Sequence, residues 1–196
     1  MVNAAAVDAG TTELIWKINV QGTVNVVEAF LPYIDGSCMV NFSSVTGYFY
    51  QPTPEEFGVW GDPDAPDFFP KSYKLAVEKE LDPRMQHMGE AYKAYIASKR
   101  FVMYYTQANA MRFGQKHSQI FSIAPGSFDT PMLRENNDPE NIRSIEHSSV
   151  LGRLGSPDEM ADLLVKLVST GHEYLTGCDI VMDGGLVALA TVPQYK

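Results

Sequence analysis

Short apolar runs alternate along the chain with segments in which apolar residues recur every three to four positions. Short runs are typical of buried strands, and the longer spacing is typical of amphipathic helices. Strands that alternate with helices predict an α/β fold with a doubly wound parallel sheet, covered on both faces. The predicted strands are 1–7, 37–43, 119–124 and 179–182, and the predicted helices are 12–33, 91–113 and 158–169.

Residues 48–90 do not follow this alternation. Prolines and aromatic residues crowd the first half of the segment, and only 71–81 has the spacing of a helix. A loop region of this size inside a compact domain is usually functional or disordered, and its aromatic content argues against disorder. We interpret 48–90 as an insertion within a single domain that spans 1–196. Residues 132–150 are polar and carry no clear pattern.

Composition argues against several classes of protein. The formal net charge of −9 and the pI of about 4.8 do not suit a nucleic-acid surface, which needs a basic stripe. No apolar run approaches the roughly 20 residues of a membrane span, and no signal peptide is visible. Cys38 and Cys178 are isolated, and the histidines are scattered. We therefore expect buried free thiols, a cytoplasmic protein and no metal site.

Tyr95 and Lys99 are the first candidates for chemistry, because residues four apart in a helix share one face. A free tyrosine titrates near roughly pH 10, and a nearby ammonium favours the phenolate. A surface lysine beside a helical tyrosine is the alternative. Sites in parallel α/β sheets form at the carboxyl ends of the strands. Residues 3–6, 43–44 and 125–130 all fall at such ends.

Taken in order, these motifs resemble the short-chain dehydrogenase/reductase family over nearly the whole chain. The matching features are the turn Asn3-Ala4-Ala5-Ala6, Asn19 within a helix, Ser44 at a strand end, the pair Tyr95 and Lys99, the loop from Pro125-Gly126 to Thr130, and the last strand with Asp183-Gly184-Gly185. The resemblance implies strands four to seven of a Rossmann-type sheet, and an oxidoreductase that uses NAD or NADP.

The resemblance also implies a role for each residue. Tyr95 is expected to act as general acid/base with Lys99 favouring its phenolate, Ser44 to bind the substrate oxygen, and Asn19 to anchor a water in a proton relay. Expected cofactor contacts are Asn3, Ala4, Ala5, Tyr95, Lys99, Pro125, Gly126, Ser127 and Thr130. Expected substrate contacts are Ser44, Thr46, Tyr48 and Met132.

Structural alternatives stay open for two of these residues. Ser44 also suits a strand-end cap, and Asn19 also suits a buried amide that ties down a helix kink.

Within the family, the insertion and the short segment before Asn19 resemble the bacterial 3α-hydroxysteroid dehydrogenase/carbonyl reductase branch and the coniferyl-alcohol dehydrogenases. This implies interconversion of a secondary or aryl alcohol, hydroxysteroid-like or aromatic, with its carbonyl, in a homodimer or homotetramer. We expect the insertion and 131–150 to form the substrate wall. The insertion's aromatic cluster suits a flat apolar substrate or, equally, a dimer contact. Its members are Tyr48, Phe49, Tyr50, Phe57 and Trp60.

One part of the family pattern is absent. The Gly-rich turn that holds the cofactor pyrophosphate does not occur in this sequence. We therefore expect a fragment, a misplaced start at Met1 or a further N-terminal region, and the first strand is expected to form an exposed, aggregation-prone edge. The choice between NAD and NADP is not readable. The alternative function is a non-catalytic half-domain that serves as a binding or oligomerisation module.

Overall fold

The computed structural model describes residues 1–80, 89–135, 137–169 and 174–193. Its centre is a parallel sheet with strand order β1-β2-β3-β4. The strands are β1 (Val2–Asn3), β2 (Cys38–Phe42), β3 (Gln119–Pro125) and β4 (Asp179–Met182). This Rossmann-type α/β architecture confirms the predicted fold class. The first strand is shorter than the predicted 1–7, because only Val2 and Asn3 pair with β2.

Helices cover both faces of the sheet. They are α1 (Thr12–Trp16), α2 (Gly22–Phe30), α3 (Pro54–Trp60), α4 (Phe68–Glu78), α5 (Gly89–Ala108), α6 (Ala110–Gly114), α7 (Pro131–Glu135), α8 (Pro139–His147), α9 (Pro157–Ser169) and α10 (Leu186–Thr191). Within the described ranges, no helix is both long and apolar enough to cross a bilayer.

The predicted helix 12–33 is helical throughout, but it is not uniform. A π-helical stretch, Lys17–Gln21, joins α1 to α2, and a 3-10 turn, Leu31–Tyr33, ends the element. The hydroxyl of Thr11 caps its start by accepting from the backbone N–H of Leu14 at 3.1 Å. π-Helical stretches often occur at functional positions, and this one contains Asn19.

Two apolar clusters hold the layers together. On one face of the sheet, Met39 and Ile120 are fully buried against Phe101 of α5. On the other face, Phe121 and Ile123 pack against α9. Alternate strand residues point to opposite faces, so the two clusters follow from the order of apolar residues in β2 and β3. Each fully buried large side chain contributes roughly 1.5–3 kcal/mol.

The proline-rich segment is part of the core and not a loop. Tyr50 and Trp60 are 1% exposed, and the Trp60 ring lies 5.5 Å from the ring of Phe101 in α5. The expectation that these two aromatic residues face a substrate or a dimer partner is therefore wrong, because α5 covers them. The helix predicted at 71–81 is α4, which begins at Phe68; the predicted end at Leu81 lies outside the described residues.

A buried carboxylate fixes this segment. Glu56 is 1% exposed, and its oxygens accept from the hydroxyl of Tyr50, from the backbone N–H of Thr53 at 2.7 Å and from Lys79 Nζ at 2.8 Å. Thr53 and Glu56 also form a reciprocal capping box at the start of α3. The same Lys79 Nζ lies 4.3 Å from the centre of the Tyr50 ring.

Substitution of Glu56 tests how much this cluster contributes to the stability of the fold. We expect Glu56→Ala to lower the free energy of unfolding by about 3 kcal/mol, because it leaves a buried hydroxyl and a partly buried ammonium without their acceptor. Glu55→Ala is the matched control, since Glu55 is exposed in the same helical turn. Urea denaturation of both variants measures the difference, and equal midpoints would show that the cluster does not stabilise the fold.

Candidate active site

Two adjoining cavities open at the carboxyl ends of β1, β2 and β3. Their volumes are about 440 Å³ and 340 Å³, and Asp8, Ser44, Tyr95 and Thr130 line both. A larger cavity of about 820 Å³ lies at the amino ends of the strands, beside Met1 and Gln119. That cavity contains none of the predicted site residues, so the two cavities at the carboxyl ends are the candidate site.

Ser44 lies two residues after the end of β2 and caps a 3-10 turn, Val45–Phe49. Its hydroxyl oxygen accepts from the backbone N–H of Thr46 at 3.3 Å and from the Thr46 hydroxyl at 3.1 Å. Ser44 therefore is the cap that its sequence position also suggested, and its side chain still lines both cavities.

Gly47 brings the Ser44 loop against α5. A Cβ at Gly47 would lie 2.9 Å from Met103 Cε and 3.0 Å from the backbone N of Arg100. The Met103 side chain is flexible and could move, but the contact with the helix backbone is tighter than nine in ten real Cβ contacts. Glycine therefore favours the close packing of the loop on the helix backbone beside Lys99, and this packing places Ser44 next to Tyr95.

Lys99 is almost completely buried, with 4% of its surface exposed. Its Nζ donates to the backbone carbonyl of Phe42 at 3.0 Å and lies 5.7 Å from the centre of the Tyr95 ring. Burial lowers the pKa of Lys99 to about 8, and the nearby carboxylate of Asp8 opposes that shift. Lys99 and Tyr95 do share one helix face, as the four-residue spacing predicts.

The pKa of Tyr95 differs from the sequence-based expectation. Burial raises it, and the negative charge of Asp8 raises it further, whereas the hydroxyl of Ser44 lowers it by donating to the phenolate. The ammonium of Lys99 donates to the carbonyl of Phe42 and lies 5.7 Å from the centre of the Tyr95 ring, and the net direction of the Tyr95 pKa is upward. The phenol of Tyr95 therefore keeps its proton at neutral pH.

Asn19 uses its side chain on protein partners. Its amide accepts from the backbone N–H of Val7 and donates to the carbonyl of Val7, both at 2.9 Å, and it donates to Ser98 Oγ at 3.0 Å. Ser98 in turn donates to the carbonyl of Tyr95 at 2.7 Å. These bonds tie the segment after β1 to the turn of α5 that carries Tyr95, which is a structural role for the side chain and leaves the predicted water anchor as a prediction.

The remaining predicted contacts divide into two groups. Those that line at least one of the two cavities are Ala4, Thr46, Pro125, Gly126, Ser127, Thr130 and Met132. Asn3, Ala5 and Tyr48 line neither cavity within the described residues. The amide of Asn3 donates to Asn41 Oδ1 at 3.2 Å, and the hydroxyl of Tyr48 donates to Asp179 Oδ2 at 2.8 Å.

Sequence reasoning missed several residues of the site. Asp8 follows β1 and supplies the acidic side chain that faces Tyr95 and Lys99. Leu133 and Asn137 come from the predicted wall 131–150, which forms α7 and α8 and not a loop. Only the position of Asp8, just past a strand end, could have singled it out, since an aspartate near a glycine otherwise indicates a turn.

Among the residues that the structure describes, no cysteine or histidine lines either cavity of the candidate site. Cys38 and Cys178 are free, half-buried thiols whose pKa values burial raises. Across the described ranges, no three His, Cys, Asp or Glu side chains are grouped so as to hold a metal ion. His87 and His172 lie outside the described residues.

Comparison with known proteins gives one family match. A family model described as enoyl-(acyl carrier protein) reductase matches residues 84–187, just over half of the chain. A 3-oxoacyl-(acyl-carrier-protein) reductase of Thermotoga maritima is 28% identical over 180 residues, which are 89% of this chain and 56% of that protein. A 3-alpha-hydroxysteroid dehydrogenase/carbonyl reductase of Comamonas testosteroni is 31% identical over 132 residues, 64% of this chain and 51% of that protein. The chain thus spans little more than half of these relatives.

Solved structures share the fold. The 3-oxoacyl-(acyl-carrier-protein) reductase of Brucella melitensis superposes with a TM-score of 0.68 at 23% identity, over 95% of this chain and 62% of that one. The structure of Pseudomonas aeruginosa RhlG, in an NADP active-site complex, also superposes with a TM-score of 0.68. The two chains are 24% identical, and the match covers 95% of this chain and 65% of that one. Identities this low establish the fold alone.

The depressed pKa of Lys99 predicts a pH-dependent stability. The pKa of Lys99 is about 8 in the folded chain and 10.5 in its ordinary state. Between these two pH values the unfolded chain binds one proton more than the folded chain, so the free energy of unfolding rises with pH. Relative to Lys99→Met, we expect the free energy of unfolding of the wild type to increase by about 3 kcal/mol over this pH range. Urea denaturation at several pH values measures it.

Lys71→Met is the matched control for this series, because 61% of the Lys71 side chain is exposed. We expect its stability difference from the wild type to stay flat with pH. The same flat difference for Lys99→Met would contradict a buried, destabilised ammonium.

Proposed function

The chain belongs to the short-chain dehydrogenase/reductase family, and from this premise we propose that it carries the catalytic groups of an NAD(P)-dependent oxidoreductase. The observation that carries the proposal is the convergence of Ser44, Tyr95 and Lys99 on the cavities at the carboxyl ends of the strands. The reaction is reversible hydride transfer. A bound NAD(P) would supply the hydride acceptor for a secondary alcohol, Tyr95 would take the hydroxyl proton, and a carbonyl compound would result.

The smaller cavity suits the nicotinamide end of the cofactor. Ala4 and Ala6 line it and carry no polar side-chain group, and Lys99 and Thr130 add an amine and a hydroxyl. Such a mixture of small apolar surface with a few polar groups is typical of cofactor sites. Pro125 and Gly126 complete the side of the cavity formed by the end of β3. When bound, the cofactor supplies the hydride acceptor or donor; titration with both cofactors decides between NAD and NADP.

Tyr95 and Ser44 divide the chemistry of the substrate oxygen. Because the pKa of Tyr95 is raised, its phenol is protonated at neutral pH and donates to the carbonyl oxygen during reduction. Ser44 holds the same oxygen by a hydrogen bond and stabilises the phenolate that remains. Lys99 sustains positive charge near the phenolate below about pH 8. Through Ser98, the side chain of Asn19 positions the turn of α5 that carries Tyr95, and the role of Asn19 as a water anchor stays a prediction.

The cavity of about 440 Å³ beside Ser44 and Tyr95 favours an apolar substrate. Its lining is mostly apolar, with Phe42, Val45, Phe128, Met132, Leu133 and Met160 around the polar groups. We propose a small apolar alcohol or ketone, hydroxysteroid-like or aromatic. The Comamonas testosteroni relative supports this class by its name, whereas the Thermotoga maritima relative is named for 3-oxoacyl chains. Initial rates with a ketosteroid, an aryl ketone and a 3-oxoacyl thioester distinguish the three.

The wider setting is also a proposal. We propose a single domain over 1–196 with 48–90 inserted in it, assembled as a homodimer or homotetramer in the cytoplasm. Free thiols at Cys38 and Cys178 suit a reducing compartment. Sedimentation of the full-length protein measures the assembly. A monomer that binds neither cofactor would favour the alternative, a non-catalytic binding module.

Tyr95→Phe tests the central role. In the protein expressed at its full encoded length, we expect turnover to fall by roughly 10²–10⁴-fold, since the substitution removes only the phenolic hydroxyl that transfers the proton. Binding of NADH or NADPH, followed by fluorescence titration, should persist. Tyr92→Phe is the matched control one helical turn away, because Tyr92 lines neither cavity. Near-normal turnover by Tyr95→Phe would remove this residue from the mechanism.

Asp8→Asn tests the electrostatics. Because the carboxylate of Asp8 raises the pKa of Tyr95, its removal lowers that pKa, and the phenolate needed for alcohol oxidation forms at lower pH. We expect the pH profile of oxidation to move downward, as measured by initial rates. Asp35→Asn, at an exposed position remote from the site, should leave the profile in place. A profile that moves upward, or equally in both variants, would contradict the assignment.

A further inference from the structure

Three hydroxyl groups converge on the carboxylate of Asp179, on β4. Tyr48 donates to Oδ2 at 2.8 Å, and Ser122 donates to Oδ1. Ser43 Oγ lies 2.7 Å from Oδ1 and shares its proton between this oxygen and the backbone carbonyl of Ile123 at 3.0 Å. Hydrogen bonds to an ionised acceptor are roughly twice as strong as those between neutral groups. Asp179 lines neither cavity of the candidate site.

Two of the three donors flank Ser44. Ser43 immediately precedes it, and Tyr48 lies at the far side of the 3-10 turn that Ser44 caps. The third donor, Ser122, lies on β3 and pairs with Asp179 in the sheet register. The carboxylate thus attaches both ends of the Ser44 turn to β4, while its bond to Ser122 stays within the sheet.

We infer that Asp179 is a positioning residue that holds Ser44 in contact with Tyr95. This inference rests on the proposed function, since it matters only if Ser44 and Tyr95 act on a substrate. Asp179 fixes the side of the turn that faces the sheet, and the packing of Gly47 on α5 fixes the other side. Between these two attachments, the Ser44 hydroxyl has little freedom to leave the phenol.

The charges around the clamp are consistent with this role. Burial and the charge of Asp179 raise the pKa of Tyr48, so its hydroxyl remains a donor over the whole working range. Arg100 and Asp183 are the other charged groups that influence Tyr48. Around Tyr95, the titratable neighbours are Asp8 and Tyr92, with Lys99 beside the ring, and Ser44 supplies the hydrogen bond that favours its phenolate. Loss of the clamp therefore reaches Tyr95 through Ser44.

The test compares four single variants of the full-length protein. Asp179→Ala removes the acceptor, and Tyr48→Phe and Ser43→Ala each remove one donor from the Ser44 turn. Ser122→Ala is the matched control, because it removes a hydroxyl from the same carboxylate oxygen as Ser43→Ala but leaves the turn attached. Thermal unfolding of each variant records the purely structural cost.

We expect kcat to fall by up to roughly 100-fold in Asp179→Ala and less in Tyr48→Phe and Ser43→Ala. The KM for the cofactor should change little, and Ser122→Ala should retain its kcat. Asp179→Asn, which keeps an acceptor oxygen, should recover part of the loss. Equal losses of kcat in Ser43→Ala and Ser122→Ala would overturn the inference, because the effect would then follow stability and not the turn.

Coupling to Ser44 supplies a second readout. The titration of Tyr95 is obtained as the difference in tyrosinate absorbance between each variant and the same variant with Tyr95→Phe. Asp179→Ala should shift this titration upward, and in a Ser44→Ala background it should add no further shift. An unchanged titration, or a full shift without Ser44, would overturn the inference. If Asp179→Ala does not fold, Tyr48→Phe gives the same two readouts.

The two proposals fail in different ways. If the wild-type protein turns over no alcohol or ketone with either cofactor, the proposed function fails, but the titration of Tyr95 still shows whether Asp179 acts through Ser44. If the wild type is active and Asp179→Ala retains both its kcat and its Tyr95 titration, only the positioning role fails.

Discussion

The close approach of the Ser44 turn to helix α5 is the contact on which the candidate site depends. Gly47 permits it, because any side chain there would meet the backbone of Arg100 at 3.0 Å. This one contact sets the distance between a strand end and a helix that are far apart in sequence. Lys99 lies in the helix turn beside this contact, and its burial lowers the pKa of Lys99 to about 8.

Two carboxylates act as internal anchors on either side of this contact. Glu56 collects donors from Tyr50, Thr53 and Lys79, and fixes the segment that covers α5. Asp179 collects three hydroxyls and fixes the turn that begins at Ser44. Glu56 is buried and Asp179 is half-buried, and a carboxylate removed from water is costly unless its oxygens are satisfied. Each anchor therefore persists only while the surrounding elements are in place. The chain uses part of its acidic composition to lock segments and not only to solvate its surface.

Local pattern predicted the sheet and most helices well, since strand and helix periods depend on neighbouring residues only. The local pattern failed in the first part of the insertion, 48–70, where prolines suggested a loop, whereas the helix predicted at 71–81 corresponds to α4. The segment Thr53-Pro54-Glu55-Glu56 nevertheless carries a helix start, with proline at the first position and glutamate at the third. The aromatic residues were misplaced for a different reason. Whether Tyr50 and Trp60 face a ligand, a partner or α5 depends on what packs above them, and sequence order contains no such information.

By itself, the sequence determined the order of strands and helices and the identity of the groups brought to the carboxyl edge. Parallel strands place Ser44 and the loop after Pro125 at one edge of the sheet, and helix period places Tyr95 and Lys99 on one face. Only the tertiary structure decided the ionisation of these groups and their partners. The raised pKa of Tyr95, the carbonyl of Phe42 that receives Lys99, and the turn held by Asp179 all arise from burial and from contacts between distant segments. Desolvation and hydrogen bonding act through space, and neither follows from spacing along the chain.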